Sequence, residues 1–341
     1  MRKMKLIASQ LTLAQLLLNA IVACSLQLPN EHVLSVRNAH SMIYDSDRKA
    51  IYLFGGADAT RVLGDTWSWD DEKRIWRFVT ASGPSPRTFA AFAYDERHHE
   101  GILFGGNRVL FGDGSEADTF LADTWRFRRN KWIRVATKGP QERAEAAIAY
   151  DRKRRRIVLF GGYRRISGST ERFGDTWEWD GIQWIRVAAD GPSPRNNAAM
   201  TYDDRLHEVI LFGGPGPSSE TWAWNGQIWK RLDSGEVPGR FNPVMVYDSH
   251  LHTDLRFGGW TGQARTGDTW TLSRMGWQQL TREGPPPRNH AAMVYDRMRR
   301  QAILFGGHDG ERVFGDTWQW NGSRWNLLCS VPSEIFIDNG H

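Results

Sequence analysis

The chain has 341 residues, 24% of them charged, a net charge of +5 and only two cysteines, Cys24 and Cys329. Two cysteines exclude a disulfide framework and a cysteine metal quartet. Without residues 1–23, which carry Arg2, Lys3 and Lys5 and no acid, the balance falls to +2. The remaining Arg and Lys are interleaved with Asp and Glu, as in Tyr150–Arg156, so the charge reads as a solvated rim and not as a nucleic-acid surface.

Met1–Lys5 is basic and Leu6–Ala23 mostly apolar, ending Ile21-Val22-Ala23-Cys24. A basic start, an apolar run and small residues before a cut site describe a secretory signal peptide. The last four residues resemble the lipobox of bacterial lipoproteins, which implies a lipidated Cys24 and export to a bacterial cell envelope. Gln10, Thr12, Gln15 and Asn19 make the run polar for a leader, so an amphipathic helix on a cytoplasmic protein is the alternative. Residues 24–36 are expected to be a tether, with a strand at Val33–Val36.

From residue 37 the chain repeats six times. Gly pairs close an apolar run at 55–56, 105–106, 161–162, 213–214, 258–259 and 306–307, spaced 50, 56, 52, 45 and 48 residues apart. Such a period marks a repeat architecture. The last unit shows the pattern: Arg288, then His290–Tyr295, a charged turn, Gln301–Phe305, the Gly pair, Asp316-Thr317-Trp318-Gln319-Trp320, Asn321–Gly322, and Trp325–Leu328. Short runs joined by turn residues predict a four-stranded antiparallel meander. The first strand is small, as with Ala90, Ala91 and Ala93, which suits six copies crowded round a channel. The second is apolar throughout, as at Ile157–Phe160, which suits a strand covered on both faces. The third places Trp177 and Trp179 on one face. In the fourth an aliphatic residue follows three positions after the Trp, which breaks same-face alternation and is put down to twist. Sixteen of the seventeen Trp fall on repeat positions; Trp260 does not.

These units resemble the kelch repeat of bacterial-type kelch proteins: Gly-Gly after four apolar residues, then a spaced aromatic and a Trp. The resemblance covers about residues 37–329. It implies an all-β, six-bladed β-propeller of four-stranded antiparallel kelch-type blades. The blades are expected at about 37–86, 87–142, 143–194, 195–239, 240–287 and 288–329, with a tail at 330–341. Closure need not borrow a strand, though residues 31–36 or Glu334–Ile337 could add an outer one. Unit five is the divergent copy, with Pro243, Arg256, Leu272 and Trp260 where the other units have none of these.

The resemblance also implies ligand binding on the face made by the loops after the Gly pairs and the loops entering each first strand. The former hold 8, 16, 12, 5, 8 and 8 residues before the Asp or Glu of the third strand. Arg beside aromatic and aliphatic groups is the composition of binding hot spots. Hence the expected ligand-binding residues are Arg108, Phe111, Tyr163, Arg164, Trp260 and His308. Alternatively, Phe111 and Trp260 fold back to plug the channel mouth. The six unit-opening Arg and the Asp before each Thr-Trp recur in every unit and read as structural, the Asp as a turn cap. Gly112–Asp118 hints at calcium, but the spacing is not that of an EF-hand, and no metal or cofactor is expected.

A galactose-oxidase-like copper site needs a Tyr–Cys crosslink that these cysteines do not offer. A sialidase-like site uses clustered Arg, Tyr and an acid, which Arg164, Tyr163 and Glu145 imitate in part, but Gly-Asp-Thr-Trp is not an Asp-box. The expectation is a non-catalytic recognition propeller, monomeric and lipid-anchored, binding a protein or glycan partner. The alternatives are a sugar-active enzyme, sialic-acid isomerase- or hydrolase-like, and a structural envelope protein.

Overall fold

The computed structural model describes residues 32–110, 119–135, 138–214, 219–233, 235, 237–281 and 283–335, the last four as backbone only. The proposed leader, Cys24, Phe111 and the stretch Gly112–Asp118 lie outside them. Six antiparallel four-stranded sheets follow one another, each drawing its strands from consecutive sequence. Blade 1 is Ser41–Asp45, Ala50–Phe54, Thr66–Asp70 and Ile75–Thr80. The first strands of neighbouring blades touch around the axis, blade 6 against blade 1 included. The molecule is a closed six-bladed β-propeller.

The reason lies in the second strands. Ile51 and Leu53 pack toward blade 6, while Tyr52 and Phe54 pack toward blade 2. A strand with side chains on alternating faces and both faces apolar needs a sheet on either side. The same split repeats round the ring, for example Ile157 and Leu159 against Val158 and Phe160. It also explains the fourth strand. Trp132 packs toward blade 1 and Val135, three positions on, toward blade 3. In blade 2 the odd spacing is alternation serving two covered faces; in blades 3 and 5, where the pairing of third and fourth strands shifts register, the equivalent Val187 and Leu280 are exposed.

Two recurring polar devices fasten the blades. The fourth-strand indole of each blade donates to the threonine of the preceding blade's Asp-Thr-Trp (Glu-Thr-Trp in blade 4): Trp132 to Thr66 at 2.9 Å, Trp229 to Thr176 at 2.8 Å, and Trp76 to Thr317 at 3.0 Å across the closure. Within each blade the opening Arg crosses to the far strand. Arg87 donates to the Gly105 carbonyl at 2.9 Å and to both oxygens of Asp123, and Trp125 donates to the same carboxylate at 2.7 Å. These Asp residues are therefore anchors for Arg and indole, not the turn caps the sequence suggested. Turn capping falls to Asp45 and its equivalents, which accept backbone N–H groups of the first hairpin. Burial pushes the Asp123 carboxyl up, but the bonds from Arg87 and Trp125 outweigh it and hold it below the usual value.

The first Gly of each pair sits at positive φ against the next blade's opening backbone. A Cβ on Gly105 would lie 2.5 Å from the Arg143 carbonyl oxygen, so only glycine fits.

Val33–Val36 forms no strand, but Leu34 and Val36 are buried and Leu34 joins the blade 6–blade 1 core. Among the described residues no fifth strand is added at the C-terminal end: the last strand runs Trp325–Ile335, with Glu334 and Ile335 pairing Val313 and Arg312.

Blade 5 breaks the rule of two apolar faces. Arg256 and Asp254 occupy second-strand positions facing blade 4, and both are fully buried. The Arg256 guanidinium lies over Phe212 at 4.7 Å and Trp270 at 5.2 Å, a cation–π cradle. Burial pulls its pKa down to about 9. Burial, and then Asp203 beside it, push the Asp254 carboxyl well above its ordinary 3.8.

Thr176→Val should leave the buried Trp229 N–H without an acceptor and cost about 1–3 kcal/mol, read by denaturant unfolding; an unchanged midpoint would deny the bond any weight. Asp254 binds its proton more tightly folded than unfolded, so it subtracts stability as pH rises above its ordinary value. Asp254→Asn should therefore raise the melting temperature at neutral pH, and the gain should shrink as pH falls toward 3.8.

Candidate functional site

Above the second strands of blades 1, 2, 3, 5 and 6, the residue after the Gly pair bridges to the residue after the opening Arg: Asn38 with Ala57, Thr88 with Asn107, Ala144 with Tyr163, Phe241 with Trp260, Asn289 with His308. The two loop sets are thus stitched into one platform. The next residue inward is left-handed in every blade: Ala39, Phe89, Glu145, Asn197, Asn242 and His290, with φ between 48° and 63°. Their backbones hand hydrogen bonds from blade to blade, as in Phe89 N–H to Ala39 O at 2.8 Å and Asn242 N–H to Asn197 O at 2.8 Å. Non-glycine residues seldom adopt this conformation, and where they do the surrounding structure holds them. The ring sets the channel mouth. At the far end Arg152 pairs with Glu96 and Asp204, and Arg297 with Asp204 at 3.1 Å, tying blades 2, 3, 4 and 6 together.

A cavity of about 510 Å³ opens on this platform over blades 3 to 6. Its aromatic wall is Tyr163, Phe241 and Trp260, the last two with ring centres 5.4 Å apart. Its basic groups are Arg165, Arg172 and Arg265. Trp260 is 36% exposed at the lip and does not plug the channel. Three of the residues expected from sequence therefore meet here: Tyr163, Trp260 and His308. Arg108 and Arg164 do not. They line a separate outer cavity of about 1050 Å³ beside Trp125 and Arg134, and Arg164 is paired with Glu142 and Glu171.

Period two explains the difference. The loop of blade 3 is itself a hairpin, Tyr163–Ile166 with Ser169–Arg172, in which Tyr163 faces Arg172 and Arg165 faces Thr170. That face supplies the cavity, and Arg164 with Glu171 lies on the other. Alternation about the Ser167–Gly168 turn was the signal that would have selected Arg165 and Arg172 over Arg164.

The floor is a hydrogen-bonded chain. Arg172 Nε donates to the Asn196 side-chain Oδ1 at 3.0 Å, and Asn196 Nδ2 donates to Glu145 at 2.6 Å. With its amide nitrogen turned to the carboxylate, Asn197 donates there too. Burial raises the Glu145 carboxyl to about 7, with Asn196 and Arg172 pulling the other way. His290 shares a hydrogen bond with His308 at 2.8 Å and a second with Asn242. Burial, aided by Arg265, lowers His308 to about 3 and His290 well below its ordinary value, so both imidazoles are neutral. Near neutral pH the cavity thus holds three guanidinium groups against one carboxyl poised between its two forms. It can receive a polar, negatively charged group against an aromatic wall. Among the described residues no cluster of three or more His, Cys, Asp or Glu could hold a metal.

Arg172→Met removes a charge that favours the ionised Glu145 and should move its titration midpoint upward, followed by carboxyl ¹³C NMR; a midpoint that stays or falls contradicts the chain described.

The profile of the KLHDC2/KLHL20/DRC7 Kelch-repeats domain matches residues 19–214, beginning inside the segment read as a leader. The F-box/kelch-repeat protein At1g51550 of Arabidopsis thaliana is 28% identical over 53% of this chain and 39% of its own length. The flagellar outer arm dynein alpha chain of Chlamydomonas reinhardtii is 28% identical over 43% of this chain and 3% of its own. Dynein regulatory complex subunit 7 of the same alga is 30% identical over 33% and 10%. The chain thus spans well under half the length of the curated relatives it matches. Among solved structures, that of YjhT superposes with a TM-score of 0.67 over 87% of this chain and 99% of its own, at 14% identity, a likeness of fold. With six blades in register and a family profile over more than half its length, this chain belongs to the Kelch-repeats domain family of KLHDC2, KLHL20 and DRC7.

Proposed function

We propose that this protein is a recognition propeller that takes a protruding, negatively charged segment of a protein or glycan partner into the cavity of its loop face. Kelch propellers generally mediate protein interactions, and one observation carries the reading to this face: Trp260, Phe241 and Tyr163 stand beside Arg165, Arg172 and Arg265 around one cavity. Aromatic and Arg side chains on a fixed frame are the anchors of binding surfaces. The neighbouring asparagines offer adaptable donors and acceptors. Export with lipidation at Cys24 remains part of the proposal and rests on the lipobox-like residues alone.

Trp260→Ala with Arg172→Ala should weaken capture of the partner by about 2 kcal/mol or more without changing the melting temperature, read by affinity capture followed by calorimetry on the recovered partner. Full retention of binding would remove the function from this face.

Glu145 favours a second reading. A half-buried carboxyl on the cavity floor, raised to about 7 by desolvation, is matched to general acid–base work at neutral pH, as a sugar-active isomerase or hydrolase would need. Glu145→Gln separates the two: an enzyme loses turnover and keeps binding, whereas a recognition module shows no turnover in either form.

A further inference from the structure

The face opposite the candidate site divides into two unlike arcs. Both the first-to-second hairpins and the third-to-fourth turns end there, since antiparallel pairing puts them away from the loop platform. In blades 3 to 6 these turns present one large apolar side chain after another: Met275 at 83% exposure, Ile182 at 76%, Ile228 at 63%, Met298 at 57%, Leu251 at 46% and Leu206 at 39%. Single exposed apolar residues are ordinary, but six on one arc of one face are not.

The exposed charges among these tips are of one sign. Over residues 151–156, 180–183, 203–208, 225–228, 248–253, 273–276, 296–301 and 321–324, Lys153, Arg155, Arg274, Arg299, Arg300 and Arg324 are exposed. The carboxylates of these turns are all buried or half-buried, several as caps such as Asp203 and Asp248. The matching turns of blades 1 and 2 expose no aliphatic side chain; those of blade 1 also expose Asp47 and Glu72 beside Arg and Lys, whereas those of blade 2 expose Arg97, Arg128, Arg129 and Lys131 without a carboxylate, so the apolar tips and not the charge set the arc apart from blade 2.

We propose that the arc of blades 3 to 6 docks on the surface of an anionic lipid bilayer. Apolar tips that enter the acyl boundary, set among cations that meet lipid phosphates, are what interfacial binding requires. Exposed carboxylates would be repelled there, and the arc shows none. A second copy docked arc to arc would oppose cation to cation, which disfavours self-association. The apolar tips would gain nothing from a nucleic acid. Docking in this way leaves the loop face turned away from the bilayer and open to a partner, so the two surfaces work independently.

The test is co-sedimentation of the full chain with phosphatidylcholine vesicles, alone or mixed with phosphatidylglycerol. Two variants are compared: Ile182→Ser/Ile228→Ser/Met275→Ser, and Lys153→Gln/Arg274→Gln/Arg324→Gln. All six side chains are exposed, and unchanged melting confirms that both variants fold. The wild type should partition onto the mixed vesicles and not onto phosphatidylcholine, and added salt should release it. The basic variant should lose about fivefold per charge removed, and the apolar variant about tenfold or more. Failure to bind mixed vesicles overturns the proposal. Binding that both variants retain also overturns it, and assigns membrane affinity to another part of the chain. A soluble protein that binds the wild type and neither variant, with vesicles left unbound, assigns the arc to a protein partner instead.

Discussion

Everything in this molecule depends on a sheet that cannot cover itself. Each second strand carries large apolar groups on both sides, so a blade is stable only between two others, and the ring must close. The indole-to-threonine bond crosses every interface at 2.8 to 3.0 Å. Its energy is modest beside the burial, roughly 1 kcal/mol each. Its value is registration: an indole N–H buried without that hydroxyl would be costly, so a blade slipped along its neighbour is penalised.

The Arg–Asp clamp does for the loops what the indole does for the sheets. Arg87 spans the blade from the loop entering the first strand to the loop entering the third, holding Gly105 between them. That rigidity permits the strained left-handed ring at the channel mouth. Because the ring is backbone, its six side chains are free to differ, and they do: Ala39 and Phe89 on one side, Glu145, Asn197, Asn242 and His290 on the other. The cavity forms over the polar side. The same scaffold that repeats six times therefore presents a single asymmetric site, and the opposite face is asymmetric as well.

Blade 5 shows how much departure the frame absorbs. Arg256 replaces an aliphatic residue at the interface with blade 4 and is held by three aromatic rings and one carbonyl. The same blade lacks the second Trp of its third strand and places Trp260 at the cavity lip.

The repeat by itself determined the fold, because a period near fifty residues with apolar second strands, glycine pairs and spaced Trp has few other ways to bury both faces of a sheet. It also exposed the structural nature of the recurring Arg, since a residue needed in every blade serves the blade. What it could not decide was which loop side chains share a space. Tyr163, Trp260 and His308 lie 97 and 48 residues apart in the chain and meet only because three blades converge on one axis. Arg164 and Arg165 are adjacent in sequence and both border the outer cavity, yet only Arg165 also reaches the site cavity, an outcome set by hairpin pairing and not by residue type. The raised pKa of Glu145 and the neutral histidines likewise follow from burial, and burial is a property of the closed ring.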